Sequence, residues 1–227
     1  VMRGIVEHCS SFVDLVVVVI DNGTVDNTAR EAEEAGAIVL HNGARRGTGA
    51  AIRRGIEYGL DKGMEICVIM GGDAQDDPRE IPKLLYPLIH EGFDFAQGSR
   101  YLNGQRTVNM PLSRAILTRL FTFGFRLVTG FPSTDATNGF RAFHMDILKG
   151  INVWQEVLDG YALENYLFAQ AVRKGYRVKE IKVTKWFNRE LGYSHAKVLF
   201  GQLLLGRGEG KAGVVRRKLS EEHYYNK

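Results

Sequence analysis

The stretch VIMGGDAQDDPREIP, Val68 to Pro82, decides how the chain is read. An apolar run gives way at once to two glycines, three aspartates and a proline. Val68-Ile69-Met70 is uniformly apolar, the mark of a strand covered on both faces. Asp77-Pro78-Arg79-Glu80 marks a helix start, with Asp at the N-cap, Pro in the first turn and Glu three residues on. That start accounts for Asp77 and Glu80 and leaves Asp73 and Asp76. Carboxylates lodged between a buried strand and a helix either shape the turn or hold a cation and the phosphates it carries.

Working outward, Asp14–Asp21, Ala37–Leu40, Glu65–Met70 and Phe93–Ser99 read as strands, and Thr28–Gly36, Gly49–Gly63 and Asp77–Ile89 as helices. This rhythm predicts an α/β domain with a mainly parallel sheet and helices on both faces. Beyond Arg100 come a long apolar helix over Met110–Gly130, the loop FPSTDATNGFRAF, and a helix over about 160–174. A strand over Tyr176–Val183 and, after NRELGYSHAK, an apolar helix to Leu205 complete the pattern. No linker rich in Pro, Gly or Ser and no internal repeat divides the chain.

Composition narrows the class. The 227 residues, 44% apolar and 25% charged, suit one globular domain. The longest unbroken apolar run, Leu15–Ile20, falls far short of the ~20 residues of a membrane span. No secretory pattern opens the sequence. Two cysteines, Cys9 and Cys67, make no disulfide framework and read as buried thiols in a reducing, cytoplasmic setting. A net charge of +4 without a basic stripe interleaved with aromatics speaks against nucleic-acid binding. The basic cluster Lys211–Lys218 reads as a solvated tail or, alternatively, as a weak anchor for anionic lipid.

Ligands of open parallel sheets sit outside the carboxyl ends of the strands. DNGTVDN, HNGARRGTG, GGDAQDD and GSRY follow the four strands and converge there. GTGAAI has Ile52 where a dinucleotide fingerprint needs its third glycine, and GRGEGKA has the wrong spacing for a P-loop. Neither an NAD enzyme nor a P-loop NTPase is supported.

VIDNGTVDNT, RGTGAAIRRG, MGGDAQDDP, GSRY, DATNGFRAF and RELGYSHAK stand in the order and spacing of family 2 glycosyltransferases. Over about 5–201 the chain resembles the dolichol-phosphate mannosyltransferase and polyprenyl-phosphate glycosyltransferase branch. The resemblance implies a GT-A fold over 1–206, with a nucleotide-sugar half (1–105), an acceptor half (106–206) and a basic tail (207–227). It also implies a nucleotide-sugar donor such as GDP-mannose or a UDP-hexose, a Mg²⁺ or Mn²⁺ cofactor, and inversion at the anomeric carbon. Two departures stand out. The family opens with a strand and a loop that touch the nucleotide, whereas VMRGIVEHCSSF matches the helix after that loop. The family's Asp-x-Asp is Gly71-Gly72-Asp73 here, so one carboxylate remains.

On the nucleotide-sugar side the resemblance gives Asp21 the nucleobase edge, or a turn with Asn22-Gly23 as its plain alternative. Gly23, Arg46 and Gly49 belong with it beside the donor. Asp73 is the expected metal ligand, since a hard divalent ion can keep one protein carboxylate with phosphates and water. Asp76 is outer-shell or solvated, and Gln75 orients the donor or makes a loop hydrogen bond. Arg189, Ser194 and Lys197 match a late motif that folds over the donor phosphates. Asp26 reads as a helix cap.

On the acceptor side, Arg100 and Arg141 either grip an anionic acceptor through paired donors or form structural ion pairs. Asp135 is the first catalytic carboxylate and Glu164 the second, the latter also readable as a helix-face ion pair. His41, His144 and His195 stand apart without metal-ligand spacing. A polyprenyl phosphate acceptor needs no base, whereas a soluble sugar or polysaccharide hydroxyl would need one. The apolar stretch LTRLFTFGFRLVTG is the candidate for peripheral membrane contact. A nucleotidyltransferase or a non-catalytic nucleotide-sugar binder are the rival readings.

Overall fold

A computed structural model describes residues 2–21, 26–43, 47–104, 110–187 and 197–202, the side chains of 21, 104 and 197–202 excepted. Seven strands form one sheet in the order β2-β1-β7-β3-β5-β4-β6. They are β1 (Leu15–Asp21), β2 (Ile38–Asn42), β3 (Ile66–Gly71), β4 (Phe95–Ser99), β5 (Arg141–His144), β6 (Val178–Lys182) and β7 (Lys197–Gln202). β1 and β2 are parallel neighbours, as are β4 and β6. β7 runs antiparallel between β1 and β3, and β5 antiparallel between β3 and β4. Five strands therefore point one way, as the alternating pattern predicts, and two later strands slot in against them.

Those two strands correct the sequence reading. NGFRAF reads as loop, yet Arg141–His144 pairs on both sides. The apolar run after Lys197 reads as helix, yet it is β7. Val198, Leu199 and Phe200 suit a strand as well as a helix, and the gap between β1 and β3 decides the matter: an unfilled gap would strand two ladders of N–H and C=O groups.

The helices are α1 (Met2–Cys9), α2 (Thr28–Glu34), α3 (Thr48–Asp61), α4 (Ile81–His90), α5 (Leu112–Thr129) and α6 (Ala162–Arg173). Alternate strand residues face opposite ways. Val16, Val18, Val68 and Met70 pack with Ile5 and Val6 of α1 and Leu84, Leu85 and Leu88 of α4. Val17, Val19, Cys67 and Ile69 pack on the other face with Ile52 and Ile56 of α3 and Leu163, Leu167 and Phe168 of α6. Phe95, Phe125, Phe143 and Phe168 stack in this second core. Both thiols are buried; burial pushes Cys67 up to about 12 and Cys9 higher still. α5 differs: among its 18 residues Thr118, Thr122 and Phe125 are buried, while Leu112, Ile116, Leu117, Leu120, Phe121, Phe123, Leu127 and Val128 are exposed. None of the described helices is long and apolar enough to cross a membrane.

Candidate active site

The parallel strands deliver their carboxyl ends to one edge, where the sequence places the four loops. Asp21 pairs in register with Asn42, and Gly71 with Lys197. Asp21, Asn42, the Gly71–Asp76 loop and Lys197 thus share one sheet edge. Gly23, Arg46, Arg189 and Ser194 lie outside the described residues.

The Gly71–Asp76 loop is tightly specified. Asp73 Oδ1 accepts the Gln75 N–H at 3.1 Å, and Ala74 between them takes a left-handed φ of 57°. A Cβ on Gly71 would lie 3.0 Å from Asp73 Oδ1 and 3.5 Å from Asp76 Oδ2, so both carboxylates face the space beside this glycine. Asp76 is buried, which removes the solvated one of its two sequence readings. It is 3% exposed and receives Lys185 Nζ on both oxygens, at 3.0 and 2.9 Å. Gln75 offers its carbonyl to the Trp186 N–H at 2.9 Å. Glu80, read as part of a helix start, instead accepts Thr184 N–H at 2.7 Å and Lys83 Nζ at 2.9 Å. Asp77 does cap the turn, accepting the Arg79 N–H at 2.9 Å. Asp26 likewise accepts the Thr28 N–H at 2.9 Å.

No three His, Cys, Asp or Glu side chains gather as a metal cage among the described residues. The half-buried Asp73 fits a different arrangement, in which a divalent ion takes most ligands from phosphates and water and one from the protein.

Gly49, expected beside the donor, packs against the backbone of 158–160. Its N–H is committed to Asp159 O at 2.7 Å and Gly160 O at 3.0 Å, and a Cβ there would overlap Leu158 O at 1.8 Å. With Gly47 at φ +95°, it lets α3 dock directly on the 158–160 backbone.

The acceptor-side residues form one buried cluster. Asp135, 0% exposed, takes Arg100 Nε at 2.6 Å and Nη2 at 2.7 Å, and the Arg100 and Thr137 N–H groups at 3.0 and 3.3 Å. Burial works against the Arg100 charge, but the hydrogen bonds and charge of Asp135 more than offset it and hold the guanidinium's pKa above its ordinary value. Arg141, also 0% exposed, donates to the carbonyls of Glu164 and Asn138. Burial lowers its pKa, opposed by the charges of Glu164 and then Asp135. Glu164 is itself buried in the first turn of α6. Two cations and two carboxylates therefore balance one another inside the protein. Of the two alternatives for Arg100 the geometry favours the ion pair, its Nε and Nη2 being taken by Asp135 and Thr137, whereas Arg141 bonds two backbone carbonyls and keeps a buried Nε without a described partner.

Glu180, unremarked in the sequence, fixes the same loop by accepting Ser133 Oγ at 2.6 Å, the Thr134 N–H at 2.9 Å and the Asp135 N–H at 3.2 Å. Beside it opens a cavity of about 290 Å³ lined by Tyr101, Arg119, Thr122, Phe123, Arg126 and Thr134. Arg119 and Arg126 are exposed, and Arg119 lies over the Tyr101 ring at 5.4 Å. The spacing of seven, which puts both on one face of α5, was the available signal in the sequence. Asn42, at the other end of the edge, carries a buried Nδ2 without a described partner.

This architecture is the GT-A fold of nucleotide-sugar enzymes. Glucosyl-3-phosphoglycerate synthase from Mycobacterium tuberculosis, in complex with Mn²⁺, UDP-glucose and phosphoglyceric acid, superposes with a TM-score of 0.60. The superposition covers 83% of this chain and 67% of that one at 19% identity, a likeness of fold. The sequence profile of glycosyl transferase family 2 matches residues 10–151, and the chain belongs to that family of glycosyltransferases. Polyprenol monophosphomannose synthase of Mycolicibacterium smegmatis is 32% identical over 197 residues, 84% of this chain and 73% of that protein. Undecaprenyl-phosphate mannosyltransferase of Micrococcus luteus is 32% identical over 183 residues, 78% of this chain and 74% of its own length.

Proposed function

We propose that the protein transfers a hexose from a nucleoside-diphosphate sugar, GDP-mannose or a UDP-hexose, to a polyprenyl phosphate, inverting the anomeric carbon. The observation that carries the acceptor class is the cavity with two exposed arginines on an exposed apolar helix. α5 contains Arg114, Arg119 and Arg126 and no acidic residue. An anionic head with a long apolar tail matches that surface: guanidinium groups for the phosphate, and Leu112, Leu117, Leu120 and Leu127 for the lipid. The same helix gives the protein peripheral contact with a membrane face, with residues 1–206 acting as the catalytic domain and 207–227 as a basic tail.

On the donor side, Asp21, in register with Asn42 at the sheet edge, is assigned to the nucleobase, and Asp73 would hold a Mg²⁺ or Mn²⁺ ion together with the diphosphate. That ion supplies positive charge to the leaving group. Lys197 begins its strand beside Gly71 and, with Arg189 and Ser194, binds the same phosphates. The acceptor phosphate is already ionised and attacks without a general base. This suits an Asp135 whose oxygens are taken by Arg100 and Thr137, and it disfavours a hydroxyl acceptor. Arg119 and Arg126 hold the acceptor phosphate, and the buried cluster beneath keeps the Ser99–Tyr101 and Ser133–Thr137 loops in place.

The test pairs donor and acceptor. UDP-, GDP- and dTDP-sugars are compared by thermal shift with and without Mn²⁺, and the stabilising donor is then offered to a short-chain polyprenyl phosphate and to free sugars. Stabilisation by one donor class that depends on Mn²⁺, and transfer to the lipid phosphate alone, is the expected result. Transfer to free sugars with none to the lipid phosphate would overturn the reading.

A further inference from the structure

The Asp76–Lys185 pair has no place in glycosyl transfer as described so far, yet it lies against the loop that carries Asp73. Asp76 and Asp73 both face the space beside Gly71. Two carboxylates around one small space form a natural donor set for a divalent cation, but one of them is occupied. Lys185 Nζ bonds both Asp76 oxygens and lies 3.5 Å from Asn138 Oδ1, so its three protons are directed to protein oxygens. The Asp76 side chain is fully buried and that of Lys185 is 11% exposed. The two residues also form a backbone bridge, flanked by the Gln75–Trp186 and Glu80–Thr184 hydrogen bonds. The ammonium is thereby held in place.

We infer that Lys185 is a built-in cation that sets the divalent-ion affinity of the Gly71–Asp76 loop, by keeping the Asp76 carboxylate out of the metal's donor set. This rests on the reading of Asp73 as the residue facing the metal. With Gly71 supplying no carboxylate and Asp76 neutralised by Lys185, the loop presents a net charge of one carboxylate to an incoming ion. Metal binding then depends on the nucleotide's phosphates, which couples metal uptake to donor arrival. Lys185 acts through Asp76 and is a positioning residue.

The two ends of the pair make opposite predictions. Lys185→Gln releases a buried carboxylate, which gains by taking up a cation, so Mn²⁺ without nucleotide should bind about tenfold more tightly. Asp76→Asn leaves an uncompensated ammonium beside the site, so Mn²⁺ should bind more weakly and nucleoside diphosphate without metal more strongly. The double variant Asp76→Asn/Lys185→Gln should return close to the wild-type Mn²⁺ affinity. A merely structural pair would move both single variants in the same direction. Free Mn²⁺ is titrated by electron paramagnetic resonance against each protein, with Asp73→Asn as control and UDP and GDP as nucleotide probes. Opposite shifts support the proposal. Unchanged or same-direction shifts in the single variants, with Asp73→Asn abolishing Mn²⁺ uptake, overturn it and leave the Asp73 reading standing. Unchanged uptake in Asp73→Asn removes that reading and the proposal with it. If Lys185→Gln does not fold, weaker Mn²⁺ and stronger metal-free nucleotide binding by Asp76→Asn carries the proposal, and their absence overturns it.

Discussion

Two sets of arginines occupy the second half of the molecule, and they differ in what they have left to offer. Arg100 and Arg141 are buried, and the described partners of their donors are Asp135, Thr137 and the carbonyls of Asn138 and Glu164. Arg119 and Arg126 stand exposed on α5 at the rim of a cavity. Residue type is the same; solvent access separates them, with Arg126 also donating its Nε to the Ser133 carbonyl. The buried pair holds two loops at the sheet edge, and the exposed pair is available to a ligand. Asp76 and Asp73 repeat the contrast three residues apart, one locked to Lys185 and the other at the edge.

The sharpest way to break this comparison is to treat the buried set as removable. Arg100→Met leaves Asp135 buried and unpaired, a loss of about 3–5 kcal/mol. Urea denaturation should show a midpoint far below wild type, and an unshifted midpoint would mean the pair is not structural. On the exposed set, Arg119→Ala should leave the denaturation midpoint nearly unchanged. It should lower kcat/KM for a polyprenyl phosphate roughly 10–100-fold, as expected for one lost charge-assisted contact. Equal loss with every acceptor, or none, would remove Arg119 from the acceptor site.

Gly49 sharpens the comparison on the donor side. Because a Cβ there would overlap Leu158 O, Gly49→Ala should cost about 1–3 kcal/mol of stability. It should also shift donor affinity far less than Asp73→Asn does, and calorimetric titration of nucleoside diphosphate checks this. The smallest effect belongs to the thiols. Burial raises both pKa values, so each is held as the unreactive thiol well above neutral pH. Neither Cys9 nor Cys67 should react with an aromatic disulfide reagent until the protein unfolds.

The alternation of β-branched runs with helical segments and caps made the five like-directed strands and most helices legible, because local pattern and tertiary role agree there. β5 and β7 were not legible, since what makes Arg141–His144 and Lys197–Gln202 strands is the gap each fills between distant neighbours. The sheet-edge aspartates were readable for a similar reason: a carboxylate at the end of a buried strand is conspicuous. Asp135, Arg100 and Arg141 were conspicuous in the same way, but the sequence left ligand grip and structural ion pair open, because burial and pairing depend on three-dimensional packing. Lys185 and Glu180 carried no sequence signal, because their partners lie 109 and about 45 residues away.

If the buried cluster holds the fold while the α5 arginines bind the acceptor, stability and acceptor affinity should separate under mutation. The direct test measures KM for a short-chain polyprenyl phosphate and the thermal midpoint together, in Arg119→Ala and Arg100→Lys. Arg119→Ala should raise KM at an unchanged midpoint, and Arg100→Lys should lower the midpoint. A raised KM at an unchanged midpoint in Arg100→Lys, with Arg119→Ala indistinguishable from wild type, would contradict that separation.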